Sequence, residues 1–186
     1  MNIRDIQFGD EEFARLTRYC NIIDERDDGQ RRAALLGLDK PGVSVGNGAI
    51  VRIGVKGSVG KNVYIGIYSY VNGAITIEDN VLIGPGCALT AGHHKFDPAT
   101  GWFSARTEKD GDNSIVIGFG SWLCAHVTVT AGVKIGRANM ICAGAVVTKS
   151  TPDYAIMAGV PARQVGRIDP VTGEYIWLKS PVPSPE

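Results

Sequence analysis

Every sixth residue from Val59 is apolar and aliphatic: Val59, Ile65, Val71, Ile77, Ile83 and Leu89. The rule breaks and then resumes at Ile117, Leu123, Val129, Ile135, Ile141 and Val147. The residue after each is often Gly (Gly60, Gly66, Gly84, Gly118, Gly136) or Asn72, types that tolerate a sharp corner. The fifth place of the repeat is small or β-branched, as at Val63, Ser69, Ile75, Val81, Cys87, Ser121, Val127, Val133 and Ala145. A helix, with about 3.6 residues per turn, cannot hold an aliphatic at a strict interval of six. One continuous strand would far exceed the usual ~5–6 residues. The pattern therefore predicts short strands separated by corners, three to a turn, with the aliphatics stacked inward in an all-β solenoid. Residues 18 apart then stack at a strand spacing of about 4.8 Å, and the twelve repeats make four complete coils. Such a core is buried only between neighbouring coils, so its ends need caps.

The flanks read differently. Residues 10–38 have a helical pattern: Asp10 is the expected N-cap, Phe13, Leu16 and Cys20 fall on one face, and QRRAALLG ends at a Gly ahead of Pro41. This segment is expected to lie over the first coil, and it is also a candidate to shape an acceptor site. RIDPVTGEYIWL predicts a β-hairpin around a PVTG turn, and the closing SPVPSPE is expected to be disordered. The chain thus divides into a helical cap (1–42), the solenoid (43–168) with a looped-out insertion (95–116), and a hairpin with its tail (169–186).

Composition adds constraints. Gly is 24 of 186 residues, against a usual share of about 7%, which fits many tight corners. Lys+Arg and Asp+Glu balance at 19 each, so no charged surface argues for nucleic acid. No apolar run reaches the ~18 residues of a membrane span. MNIRDIQFGDEEF lacks the hydrophobic stretch of a signal peptide, which makes the cytoplasm the expected location. Cys20, Cys87, Cys124 and Cys142 show neither CxxC nor zinc-finger spacing.

The one break in the repeat carries the candidate chemistry. Leu89 opens a repeat that closes on His94, leaving KFDPATGWFSARTEKDGDNSIV looped out beside two of the three histidines, His93 and His94. Long loops on rigid scaffolds tend to be functional. By the frame, His94 takes the outward sixth place at the mouth of the loop and is the candidate general base, with His93 the alternative. His126 sits in a regular repeat and reads as a surface residue. Asp97 is a candidate to orient His94. Trp102, Phe103 and Arg106 are candidates either to bind a sugar or to pack on a neighbouring subunit.

Four passages carry a resemblance: the repeats themselves, AGHHKFDP, IVIGFGSWLCAHVTVTAGVKIG and ICAGAVVTKSTPDYAIMAGVPARQVG. Together they resemble the hexapeptide-repeat acetyltransferases, in particular the sugar O-acetyltransferases of the galactoside, maltose and surface-polysaccharide type. The match covers residues 59–168 well. The resemblance implies a left-handed parallel β-helix, a homotrimer, and acetyl-CoA as co-substrate with no metal. It places the catalytic histidine on His94. It also puts Trp122 and Ala125 beside the pantetheine arm, Ala143 and Gly144 on it through backbone groups, and Thr148, Lys149 and Arg163 toward the nucleotide phosphates. The acceptor, a small molecule or glycan, would meet Tyr68, Tyr70, Asn72, Trp102 and Arg106. The chain departs from its relatives where Cys124 and Cys142 replace the usual Gly, and where Tyr68 stands in place of an acceptor-binding Asn.

The residues themselves support the chemistry. A hydroxyl attacks a thioester only as a base removes its proton, and an imidazole of pKa near ~6.5 suits that at neutral pH. No cysteine adjoins a histidine in sequence, so direct transfer without an acyl-enzyme is expected. A backbone N–H near Ala125 is the candidate donor to the thioester oxygen. Three other readings stay open at this point. One is N-acetylation of an amino sugar or a xenobiotic, which Tyr68-Ser69-Tyr70 keeps in view. The second is a γ-carbonic-anhydrase-like zinc enzyme, whose His-x₄-His spacing is missing. The third is a non-catalytic scaffold.

Overall fold

The computed structural model describes residues 9–21, 26–103 and 112–182. Strands follow one another around a three-faced solenoid. The first coil is β1 (Ser44–Val45), β2 (Ile50–Ile53) and β3 (Ser58–Val59). The second is β4 (Tyr64–Ile65), β5 (Tyr70–Gly73) and β6 (Ile75–Ile77). The third begins with β7 (Leu82–Ile83) and β8 (Ala88–Thr90), runs out through a small hairpin, β9 (Phe96–Asp97) and β10 (Trp102–Phe103), and closes with β11 (Ile115–Ile117). Then come β12 (Trp122–Leu123), β13 (Thr128–Val129), β14 (Lys134–Ile135), β15 (Met140–Ile141), β16 (Val146–Val147) and β17 (Ala155–Ala158). On the first face β1, β4, β7, β12, β15 and β17 pair in parallel, making a β-solenoid of about six turns. The second face is β2-β5-β8-β13-β16 and the third is β3-β6-β11-β14.

The twelve predicted aliphatics are all buried, the most exposed being Val59 at 5%. The fifth-place residues named above turn inward as well, including Ser69 and Ser121. Both hydroxyls are satisfied: Ser69 Oγ donates to the Gly84 carbonyl (3.1 Å) and accepts from the Cys87 N–H (3.2 Å), and Ser121 does the same between Gly136 and Asn139. A buried hydroxyl without partners would cost about 1–3 kcal/mol.

The coil number corrects the expectation of four. Val45 pairs with Ile65 and Val51 with Val71, so the solenoid begins before the strict repeat does. The frame hides this because residues 54–57 bulge from the first coil, with Val55 fully exposed. At the far end β17 adds a last rung on β15.

The loop boundaries also shift. Ala91 N–H bonds to the Asn72 carbonyl, and Ile115, not His93, pairs with Ile75. Residues 92–114 therefore stand where the coil beneath has only Ala74, instead of the expected 95–116. His93 and His94 both leave the coil, and both are exposed.

Helix α1 spans Asp10–Asn21 and α2 spans Arg26–Leu35. Gly9, rather than Asp10, caps α1: its carbonyl accepts the first helical bond from Phe13 (2.9 Å), and Glu12 reaches back to its N–H (3.2 Å). Helix α2 ends in a Schellman arrangement, with Gly37 left-handed at φ +71° and Leu38 N–H bonded to the Ala33 carbonyl (2.8 Å). The cap on the first coil is α2: Ala33 is buried, and Arg32 Nε donates to the Val45 carbonyl (2.6 Å). Phe13 and Leu16 of α1 stay largely exposed.

Beyond the solenoid, β18 (Arg163–Ile168) and β19 (Tyr175–Val182) extend the first face as an antiparallel hairpin and cover Ile156. The strand runs on through Ser180 to Val182, into the segment expected to be disordered, because Gln164 pairs with Val182.

Candidate active site

Two corners of the prism matter. The turns from the first to the second face repeat as Gly66 to Ser69 and Cys142 to Ala145, each closed by a backbone bond from the fourth residue to the first. Their third residue has positive φ: Gly48, Tyr68 (+57°), Gly86, His126 (+58°) and Gly144 form one column. The turns also place Ala125 and Ala143 side by side, with Gly144 N–H bonded to the Ala125 carbonyl (2.9 Å). Just before this corner, on the outer surface of the first face, Trp122 sits between Leu82 and Met140. It is 45% exposed. Trp122, Ala125, Ala143 and Gly144 thus share one strip of surface. Ala143 and Gly144 are exposed, and nothing lies within 4 Å of the place a Gly144 Cβ would occupy. An extended chain can be laid against bare backbone here.

Thr148 and Lys149 follow β16 toward the end of the solenoid and are exposed. Arg163 opens β18 half-buried, with one guanidinium nitrogen donating to the Ala162 carbonyl (3.0 Å).

The histidine loop belongs to a different corner, where the second face meets the third. Tyr70 and Asn72 line the outer second face beneath its exit, Asn72 opposite Thr90. Inside the loop, Phe96 and Phe103 meet edge to face with ring centroids 5.5 Å apart. Asp97, the candidate to orient His94, opens the small hairpin at β9. Its carboxylate accepts the Ala99 N–H (2.9 Å), and its carbonyl accepts Gly101, so it builds the tip of the hairpin. Trp102 is 66% exposed, and Arg106 lies outside the described residues. One chain therefore gathers Trp122, Ala125, Ala143 and Gly144 at one corner, with Tyr68 in the same column, and carries His94 on a separate corner.

Cys87, Cys124 and Cys142 stand at the corner that holds Ala125 and Ala143. Cys124 and Cys142 follow the paired Leu123 and Ile141, one coil apart, and Cys87 Sγ donates to the Cys124 carbonyl (3.1 Å). Burial pushes all three thiols up from their ordinary range, so little thiolate exists at neutral pH. The described residues gather no group of three metal-ligating side chains. No described helix is long and apolar enough to cross a membrane.

Comparison with known proteins decides the family. Residues 57–91 match the family described as bacterial transferase hexapeptide (six repeats). The galactoside O-acetyltransferase of Escherichia coli (strain K12) is 33% identical over 145 residues, covering 72% of this chain and 68% of that one. The chain belongs to the hexapeptide-repeat acetyltransferases. A second member, the galactoside O-acetyltransferase of Lactococcus lactis, is 33% identical over 110 residues, 55% of this chain and 51% of its own length. Among solved structures, galactoside acetyltransferase in complex with coenzyme A superposes with a TM-score of 0.59 at 27% identity, covering 92% of this chain and 86% of that one. The maltose O-acetyltransferase from Clostridium difficile 630 gives 0.58 at 26% identity, covering 86% of each chain. The chain is accordingly an acetyltransferase of this family.

Sequence reasoning passed over His126. A regular repeat hides it, and only the alternation Gly86–His126–Gly144, 18 residues apart once the loop is removed, signals its place in the column beside Ala125 and Ala143.

Proposed function

We propose that this acetyltransferase uses acetyl-CoA to acetylate a hydroxyl of a sugar or polysaccharide precursor, by direct transfer with His94 as the general base. One observation carries the reading: the long excursion at residues 92–114 leaves the solenoid at a histidine pair, in a fold shared over 92% of the chain with a galactoside acetyltransferase bound to coenzyme A. Trp122, Ala125, Ala143 and Gly144 hold the pantetheine arm, with Thr148, Lys149 and Arg163 toward the phosphates. Tyr68, Tyr70, Asn72, Trp102 and Arg106 form the acceptor side, and His93 supports the loop.

The acceptor oxygen attacks the thioester carbonyl as His94 takes its proton. The C–S bond then breaks, and the imidazolium returns the proton to the departing thiolate. A backbone N–H near Ala125 stabilises the developing oxyanion, a contribution of about 3 kcal/mol in comparable sites. The thiols, held protonated by burial, stay out of the chemistry.

Because His94 and the donor strip occupy different corners, a complete site brings one copy's loop against another copy's strip. This is the arrangement of the proposed homotrimer, and light scattering tests it directly. The reaction is tested by acceptor-dependent release of free coenzyme A thiol across neutral sugars, amino sugars and hydroxylated antibiotics. Turnover confined to amines would replace O-transfer by N-transfer, and no turnover with any acceptor would remove the reading.

A further inference from the structure

His126 occupies the donor corner, yet the proposed chemistry gives it no task. Its backbone is left-handed at φ +58°, a conformation uncommon outside glycine, and this aims the side chain back along the column. The ring rests on Gly86: a Cβ at that glycine would fall 2.5 Å from Nδ1 and 2.6 Å from Cε1. Any side chain at Gly86 would evict the imidazole. Tyr68 lies over Gly48 in the same way two coils earlier, its ring carbons 2.6 Å from the missing Cβ. On the other side of His126 the next residue of the column is Gly144, which sends no side chain toward the ring. The imidazole is exposed, and neither nitrogen bonds to a described residue. With Ala125 and Ala143 beside it, one polar ring is held in an otherwise bare strip of backbone.

We propose that His126 is a donor-binding residue whose imidazole hydrogen-bonds an amide of the pantetheine arm of acetyl-CoA. The inference rests on the donor strip proposed above. The chemistry suits it: pantetheine is an extended chain whose two amides need partners, and a strip of small residues supplies few beyond backbone. An imidazole already fixed by packing loses little freedom when it makes that bond.

The test is calorimetric titration of the full-length protein with coenzyme A. His126→Gly removes the ring and relieves the left-handed backbone, so its melting temperature should not fall while its affinity drops about tenfold. Gly86→Ala retains the imidazole but displaces it, and should show a similar loss. In ¹⁵N-histidine spectra, the imidazole signal missing from His126→Gly should move when coenzyme A is added to the wild type. Wild-type affinity in His126→Gly, or an unmoved His126 signal during saturable binding, overturns the inference and leaves the donor strip standing. Failure of the wild-type protein to bind coenzyme A overturns the donor reading itself.

Discussion

The coils are packed so closely that a single methyl group separates two kinds of glycine. At Gly66 the backbone is not left-handed, but an added Cβ would lie 2.5 Å from the Gly84 carbonyl carbon, 2.6 Å from its oxygen and 2.7 Å from Pro85 nitrogen. All three are backbone atoms of the next coil and cannot swing away. Restoring ordinary contact requires the two coils to part by about 1 Å. That strains the ladder bonds on either side, from Gly66 N–H to Ile83 (2.8 Å) and from Tyr64 N–H to Val81 (3.0 Å). Overpacking of this kind costs about 3 kcal/mol, a melting-temperature loss of about 6–12 °C for a chain of this length. Gly120 is the reverse case: φ is +68°, with nothing within 4 Å of the missing Cβ. Gly120→Ala meets only backbone strain, about 1 kcal/mol or about 2–4 °C. Thermal denaturation of the two variants, followed by circular dichroism at one scan rate and one protein concentration, measures the difference. If Gly120→Ala is the more damaging, or if Gly66→Ala is neutral, the argument from coil spacing is wrong.

Other outcomes follow from the same structure. Cys87 is buried, and burial also raises Cys124 and Cys142, so alkylation at neutral pH should be slow at all three. Labelling of Cys124 and Cys142 should accelerate as pH climbs past the ordinary thiol range, while Cys87 stays protected until the protein unfolds; peptide mass spectrometry reads this, and rapid labelling at pH ~7 would contradict it. In the C-terminal hairpin, the Thr172 and Val171 N–H groups hold the Asp169 carboxylate below its usual range. Its folded pKa is depressed, so the turn keeps this support above the ordinary carboxylate pKa of about 3.9 and loses it as pH falls through the lower folded value. Protection factors at β18 and β19, taken against the intrinsic exchange rate at each pH, should therefore fall in acid, and Asp169→Ala should show the lower protection already at neutral pH.

Much of the fold was legible because a strict interval of six has one economical solution. Val59 to Leu89 and Ile117 to Val147 marked the buried stack, and their common frame located the break. What escaped were places where tertiary packing absorbs an irregularity. The bulge at residues 54–57 disguised the coil of Val45 and Val51. Ile115 fits the inward fifth place better than His93 does, so the chain leaves the solenoid earlier than the frame implied. The capping role passed to Gly9 because its carbonyl, not that of Asp10, takes the first helical bond. The candidate site was proposed from residue types and spacing, which do not say which corner each residue occupies. That His94 leaves from one corner while Trp122 and Ala125 line another depends on which face each strand joins. His126 was hidden for a related reason: its importance lies in the bare glycine beneath it, a contact between residues 40 apart in the chain.

The measurement that tests the central claim most directly is acceptor-dependent coenzyme A release by the wild-type protein and by His94→Ala, with coenzyme binding measured alongside. The account predicts turnover with a sugar hydroxyl in the wild type. In the variant it predicts a fall of about 10²–10⁴-fold, with coenzyme affinity unchanged. Full activity in His94→Ala would contradict it.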